Sequence, residues 1–462
     1  MSPLHSPGGR FFAETMLLPD GWASDVAVTV DGKGRITQVE PGATRGPGDE
    51  IAAGPVLSSL ANVHSHAFQR AMAGLAEIAG PGEDTFWTWR QEMYRCVATM
   101  TPDDVEAVAA KLYVELLKGG FGRVAEFHYL HHTADGTPYA DPAETSLRIL
   151  AAAQATGIGL TLLPTFYAHS TFGGREPESR QRPFIHTPES FLTLLRQLEP
   201  ICRGAGASFG YAIHSLRAAT LEEIDLLLDA GPQDVPIHMH LAEQEREVED
   251  SVAWSGKRPI EWALDHLPVD QRWCAIHATH MTPEETAAFA RTGAVAGLCP
   301  TTEANLGDGI FPATVYRNAM GRWGIGTDSH VGTAVAGELR QLECSQRLRD
   351  RRRNCLAAAP GASVGRSLFE AALAGGAQAT AAGPAGIVPG AGADFLVFDR
   401  SDPFVAESRG DELLDRWIFA GASPMIRDVA VAGRWLIREG RHFNEESVNR
   451  AFARSLARLR NA

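Results

Sequence analysis

The chain has 462 residues, long enough to bury a large core and to form one big domain with a smaller one. A hydrophobic content of 44% and a charged content of 21% are those of an ordinary globular protein. The formal charge of −14 argues against a nucleic-acid or anionic-membrane partner, because both require a basic footprint.

The six cysteines include no C-x-x-C pair and are too sparse for a disulfide framework, so reduced thiols in a cytoplasmic protein are expected. Met1 to Arg10 holds no long apolar stretch of a secretory signal. No apolar run reaches the ~18 residues of a membrane-spanning helix.

The N-terminal residues read as short strands. Trp22–Val30 ends at Asp31-Gly32, a hairpin signal, and Ile36–Val39 returns. Pro41–Glu50, rich in Gly and Pro, reads as a linker. From Gly54 the texture changes to strands alternating with helices. Val56–Val63 is the first strand. An irregular stretch follows, containing Thr85-Phe86-Trp87-Thr88-Trp89-Arg90. Thr101 caps a helix with Pro102 at its first position, and Gly119-Gly120 ends it. Arg123–Tyr129 is the second strand. Further strands are expected at Ile158–Phe166, Ser208–Ile213, Val235–Leu241, Trp273–His277, Ala294–Leu298 and Trp323–Asp328. The helices between them are Pro142–Thr156, Pro188–Leu198, Leu221–Asp229, Pro259–His266 and Pro283–Ala290. Beyond Asp328, Glu338–Arg353 and Ser363–Leu373 are helical in pattern. Ala393–Asp399 and Val429–Gly433 return to short strands.

Eight strands with helices between most of them fit a parallel (β/α)8 barrel of the TIM type at least as well as an open sheet. The two ends of the chain share one texture and the middle has another. The expected organisation is a catalytic barrel over residues 55–380. A small β-sandwich domain is built from residues 1–54 and 381–462, the latter with a terminal helix.

Chemistry in a parallel barrel sits at the C-terminal ends of its strands. Strand one ends in His64-Ser65-His66, whose imidazoles share a face because side chains alternate with period two. Strand five ends in His238-Met239-His240-Leu241-Ala242-Glu243, strand six in His277, and strand eight in Asp328-Ser329-His330. A lone strand histidine is more often structural than a ligand. Three strand ends bearing histidine and a fourth bearing aspartate point to a metal site. His238 and His240 share a face, so alternation does not choose between them.

His-x-His on strand one, His on strands five and six and Asp on strand eight resemble the amidohydrolase superfamily of metal-dependent hydrolases. His240-Leu-Ala-Glu243 is similar to its deaminase branch. The motifs Asn62-Val-His-Ser-His-Ala-Phe-Gln-Arg-Ala-Met-Ala-Gly-Leu75, Phe86-Trp-Thr-Trp-Arg90 with Met93-Tyr94, and Cys299-Pro-Thr-Thr-Glu-Ala-Asn-Leu-Gly-Asp-Gly309 are similar to those of the formimidoylglutamate deiminase family. Two-metal members of the superfamily carry a carboxylated lysine on strand four. This chain has no lysine between Lys118 and Lys257. The resemblance therefore implies one divalent ion held by His64, His66, His240 and Asp328, with Zn²⁺ expected and Fe²⁺ also fitting the donor set.

The implied reaction is hydrolysis of N-formimino-L-glutamate to N-formyl-L-glutamate and ammonia in histidine degradation. Asp328, His277 and Glu243 are the implied proton-handling residues. Gln69, Arg90, Tyr129, His214 and Arg217 are implied to hold the two carboxylates of a small amidine substrate, a task suited to arginine forks. Each has a bland alternative: Arg90 as a surface residue on Trp87 or Trp89, Tyr129 as a core tyrosine, Gln69 as a helix cap. The runner-up activity is another mononuclear-zinc deaminase acting on a nucleobase or its derivative. A non-catalytic binding protein is disfavoured by the intact His, Glu and Asp set. No nucleic acid or membrane partner is expected. A homodimer is compatible with the sequence, which does not fix the oligomeric state.

Overall fold

A computed structural model describes residues 8–80, 82, 84–421 and 424–461. Residues 1–7, most of the stretch read for a secretory signal, lie outside these. Eight parallel strands form a barrel in chain order: Leu60–Ser65, Phe121–His128, Gly159–Phe166, Tyr211–Ser215, Ile237–Leu241, Trp273–His277, Val295–Leu298 and Arg322–Ile325. The last strand meets the first through a parallel bridge between Ser65 and Asp328. Thr327 N–H donates to His64 O across this seam at 3.1 Å. A side chain at Gly326 would sit 2.8 Å from His64 Cβ, so glycine is what allows the seam to close beside that histidine.

Strand five is buried along its whole length, as expected where helices cover the outside of a filled barrel. The covering helices start where their caps dictate. Thr101 accepts from Asp104 N–H, Asp104 accepts from Thr101 N–H in return, and Pro102 opens the helix Pro102–Lys118. Its buried face includes Val105, Val108, Ala109, Leu112 and Leu116. The helix Val364–Ala379 packs on strands one and eight, closely enough that any side chain at Gly375 would collide with Trp323 O.

Ser208–Phe209 pairs beside strand three, and the other strands form a second, nine-stranded sheet from both ends of the chain. Along it lie Arg441–His442, Arg434–Arg438, Ile426–Val431, Phe395–Phe398, Val56–Ser58, Gly9–Leu18, Gly21–Val30 and Ile36–Glu40, with Glu50–Ile51 against Gly9–Leu18. It has its own core, in which Phe11, Val28 and Ile36 meet Phe395, Val397 and Ala430. A helix, Glu445–Asn461, ends the described chain.

Several elements differ from the sequence reading. Val56–Val63 is not one strand. Val56–Ser58 pairs antiparallel with Phe395–Phe398, and Leu60–Ser65 pairs parallel with strand two of the barrel. The hand-over is at Ser59, whose N–H donates to Asp394 O while Leu60 N–H donates to Gly120 O. The expected irregular stretch holds a capped helix, Phe86–Val97. Helix Pro188–Gly204 runs on through Pro200, six residues beyond its expected end. No described helix is long and apolar enough to cross a membrane.

Candidate active site

Four strand ends converge at one mouth of the barrel. His64 lies in strand one and His66 just beyond it; His240 is in strand five and His277 ends strand six. Asp328 follows strand eight by three residues. The backbone that presents them is bent away from ordinary strand geometry. Ala242, His277, Ala278, Asp328 and His330 all have positive φ, from 43° to 68°. Each such non-glycine residue costs roughly 1–3 kcal/mol, and clusters of them mark sites whose geometry is over-determined by the surroundings.

Asp328 Oδ1 lies 3.3 Å from His64 Nε2 and 3.4 Å from His66 Nε2. His240 Nε2 lies 3.1 Å from His64 Nε2. His66 donates from Nδ1 to Phe127 O at 2.9 Å, and His240 from Nδ1 to His214 O at 2.8 Å. Those bonds fix the tautomers and leave both Nε2 lone pairs aimed at Asp328 and His64. Main-chain carbonyls orienting imidazoles in this way are the usual outer support of a metal site. Burial pushes the pKa of His64, His66 and His240 down, so their rings are neutral. Neutral imidazoles and a carboxylate converging without donors between them call for a cation, and the donor set suits Zn²⁺.

His277 differs electrostatically. Burial opposes its charge, but the carboxylates of Glu243, Glu303 and Asp328 outweigh burial and push its pKa up to about 10. Its Nδ1 is 3.3 Å from Glu303 Oε1, which also accepts from Cys299 N–H. Its Nε2 faces Glu243 Oε1 at 3.6 Å and Asp328 Oδ2 at 3.9 Å, without a hydrogen bond of its own. Burial also pushes the pKa of Glu243 up from its ordinary value, against the pull of His277 and Arg217. His238, which shares a face with His240, donates instead to Ala379 O at 2.8 Å, away from the cluster.

One cavity joins this cluster to the other predicted residues. It is lined by Gln69, Arg90, Tyr129, His214 and Arg217 together with His66, His240, Glu243 and Asp328. Gln69 is buried in a short 3₁₀ helix, Ala67–Met72, and donates to Tyr129 OH at 3.1 Å while its Oε1 lacks any partner. Arg90, on the helix Phe86–Val97, lies 5.3 Å from the Tyr94 ring centre and donates to Tyr167 OH at 2.9 Å. It forms no ion pair among the described residues. Arg217 has one acidic neighbour, Glu243 Oε2, at 3.7 Å.

Sequence reasoning missed two residues. Glu303, to which the sequence motif gives no role, holds the ring of His277. Tyr167 stands between Arg90 and Gln181, receiving hydrogen bonds from both, and was available from its place one residue past strand three. A search of strand ends confined to metal-binding residue types passes over it.

Known proteins agree with this architecture. The description "Amidohydrolase family" matches residues 56–436, and "Formimidoylglutamate deiminase HutF, N-terminal domain" matches residues 10–53. The chain is 54% identical to a formimidoylglutamate deiminase of Pseudomonas aeruginosa, over 97% of this chain and 99% of that one. A solved amidohydrolase from Brucella melitensis superposes with a TM-score of 0.94 at 51% identity, covering 97% and 99% of the two chains. A zinc-bound adenosine deaminase from Xanthomonas campestris shares the fold at 21% identity and a TM-score of 0.79, covering 98% of each chain. The chain belongs to the amidohydrolase family and, within it, to the formimidoylglutamate deiminases.

Proposed function

We propose that this protein hydrolyses N-formimino-L-glutamate to N-formyl-L-glutamate and ammonia, a step of histidine degradation. The observation that carries the reading is a single cavity lined by His66, His240, Asp328 and Glu243 together with Arg90, which has no acidic partner among the described residues. The 54% identical Pseudomonas aeruginosa relative bears that activity in its name.

His64, His66, His240 and Asp328 are the proposed ligands of one divalent ion, Zn²⁺ by the donor set. Such an ion supplies Lewis-acid activation of water at neutral pH. Asp328 accepts the proton of the attacking water. His277, held by Glu303, steadies the oxygen that adds to the amidine carbon. Glu243, buried beside the cluster, delivers a proton to the departing nitrogen, which leaves as ammonia. Arg90 and Arg217 bind the glutamate carboxylates, with Gln69, Tyr129 and His214 completing the pocket.

Ammonia release from purified protein tests the reading. Turnover of N-formimino-L-glutamate, with little on guanine or adenosine, is the expected result. Release from guanine or adenosine with none from N-formimino-L-glutamate would overturn it.

A further inference from the structure

At the opposite end of the barrel lies a second cavity, which the chemistry above does not use. It opens beside the starts of strands two and three, where residues 33–35 and 431–434 of the terminal sheet face the barrel. Its volume is about 500 Å³, within the range of small-molecule sites. Four cations line it, Lys33, Arg35, Arg123 and Arg434, against one carboxylate, Asp394.

None of the four forms an ion pair among the described residues. The contrast within the chain is informative. Lysine occurs only four times, and Lys111, Lys118 and Lys257 each pair with a carboxylate. Lys33 is the exception. Arg123 donates only to neutral oxygens, Leu160 O at 3.2 Å, Thr161 Oγ1 at 3.4 Å and Ser208 Oγ at 3.2 Å. Its Nε is buried and has no hydrogen-bond partner among the described residues. Asp394 Oδ1 is engaged by Ala432 N–H at 2.7 Å. Gathering like charges around one hollow costs free energy unless an anion neutralises them, and here the gathering runs against a chain charge of −14.

We propose that this cavity binds a compact polyanion, a phosphate-bearing or polycarboxylate metabolite, held by Arg123 and Arg434 with Lys33 and Arg35 at the rim. Guanidinium forks suit both anion types. The site lies at the other end of the barrel from Asp328, so its ligand is not the amidine substrate.

Calorimetric titration of the full-length protein with inorganic phosphate and, separately, tricarballylate tests this at low ionic strength. Saturable binding of at least one probe is expected, one per chain, weakening as salt is added. Phosphate alone would identify a phosphate-bearing ligand, and tricarballylate alone a polycarboxylate. Arg434→Glu and Lys33→Glu, both at solvent-accessible positions, should each weaken binding by about tenfold or more while leaving ammonia release unchanged. Failure of both probes to saturate, or variants that bind as tightly as the parent, would overturn the proposal.

Discussion

Asp328 has a φ of 43° and an oxygen within 3.4 Å of two imidazoles, so one side chain serves both as proposed ligand and as proposed base. Asp328→Ala is expected to lower kcat by about 10³-fold or more in the ammonia assay. A variant with ion bound and near-normal kcat would remove it from that role. Arg90 is proposed to bind a part of the substrate that does not react. Its loss in Arg90→Met should raise KM by roughly 10- to 100-fold with kcat little changed, because carboxylate binding is shared by ground and transition states. At this scale the meeting of His64, His66, His240, His277 and Asp328 was legible, since strand register decides which side chains share a barrel mouth. Glu303 was not. It lies on the short helix Pro300–Leu306, and only the packed barrel brings that helix against the ring of His277.

The turn after strand one is the element on which the cluster depends, and strand two holds it. Glu126 is fully buried and accepts from Ser65 Oγ at 2.6 Å, Ala67 N–H at 2.7 Å and Tyr113 OH at 3.2 Å. Ser65 and Ala67 flank His66. Glu126→Gln replaces one acceptor oxygen by a donor, so the turn should loosen and metal affinity fall by about 10- to 100-fold in a chelator competition. Burial, working against these three bonds, pushes the Glu126 pKa up from 4.5 to about 7. A carboxyl whose folded-state pKa is raised favours folding in its protonated form. The cost of its charge is absent below about pH 4.5, grows as pH rises, and is complete above about pH 7. Thermal unfolding should therefore show the parent losing stability relative to Glu126→Gln across that window. The helix start at Thr101 was readable because caps are local chemistry, and the helices expected from Pro188, Leu221 and Pro283 carry threonine caps of the same kind at Thr187, Thr220 and Thr282. The helix Phe86–Val97 was hidden by its aromatic-rich sequence, although Thr85 and Thr88 form the reciprocal cap that marks its start. The split of Val56–Val63 was illegible for a different reason. An apolar run states that a strand is buried, not which sheet it joins, and the antiparallel partner of Val56–Ser58 lies more than three hundred residues away.

In the whole molecule, the terminal sheet anchors the strand that carries His64 and His66. Val56–Ser58 is paired with Phe395–Phe398, and its core mixes residues from both ends of the chain. A chain cut after residue 380 would expose Phe11, Val28 and Val56 to water, so such a fragment is expected to be insoluble or to lack cooperative unfolding. The alternation of texture along the sequence was enough to suggest a barrel flanked by a domain of both termini. The continuous hydrogen bonding of that second sheet depends on pairings between distant segments, which no local pattern encodes. One ion, held by His64, His66, His240 and Asp328, is proposed to serve hydrolysis of N-formimino-L-glutamate. Metal content measured alongside ammonia release, through chelation and stepwise return of Zn²⁺, tests it most directly. Activity should vanish on chelation and rise linearly to a plateau at one ion per chain. A plateau at two ions, or full turnover by metal-free protein, would contradict the account.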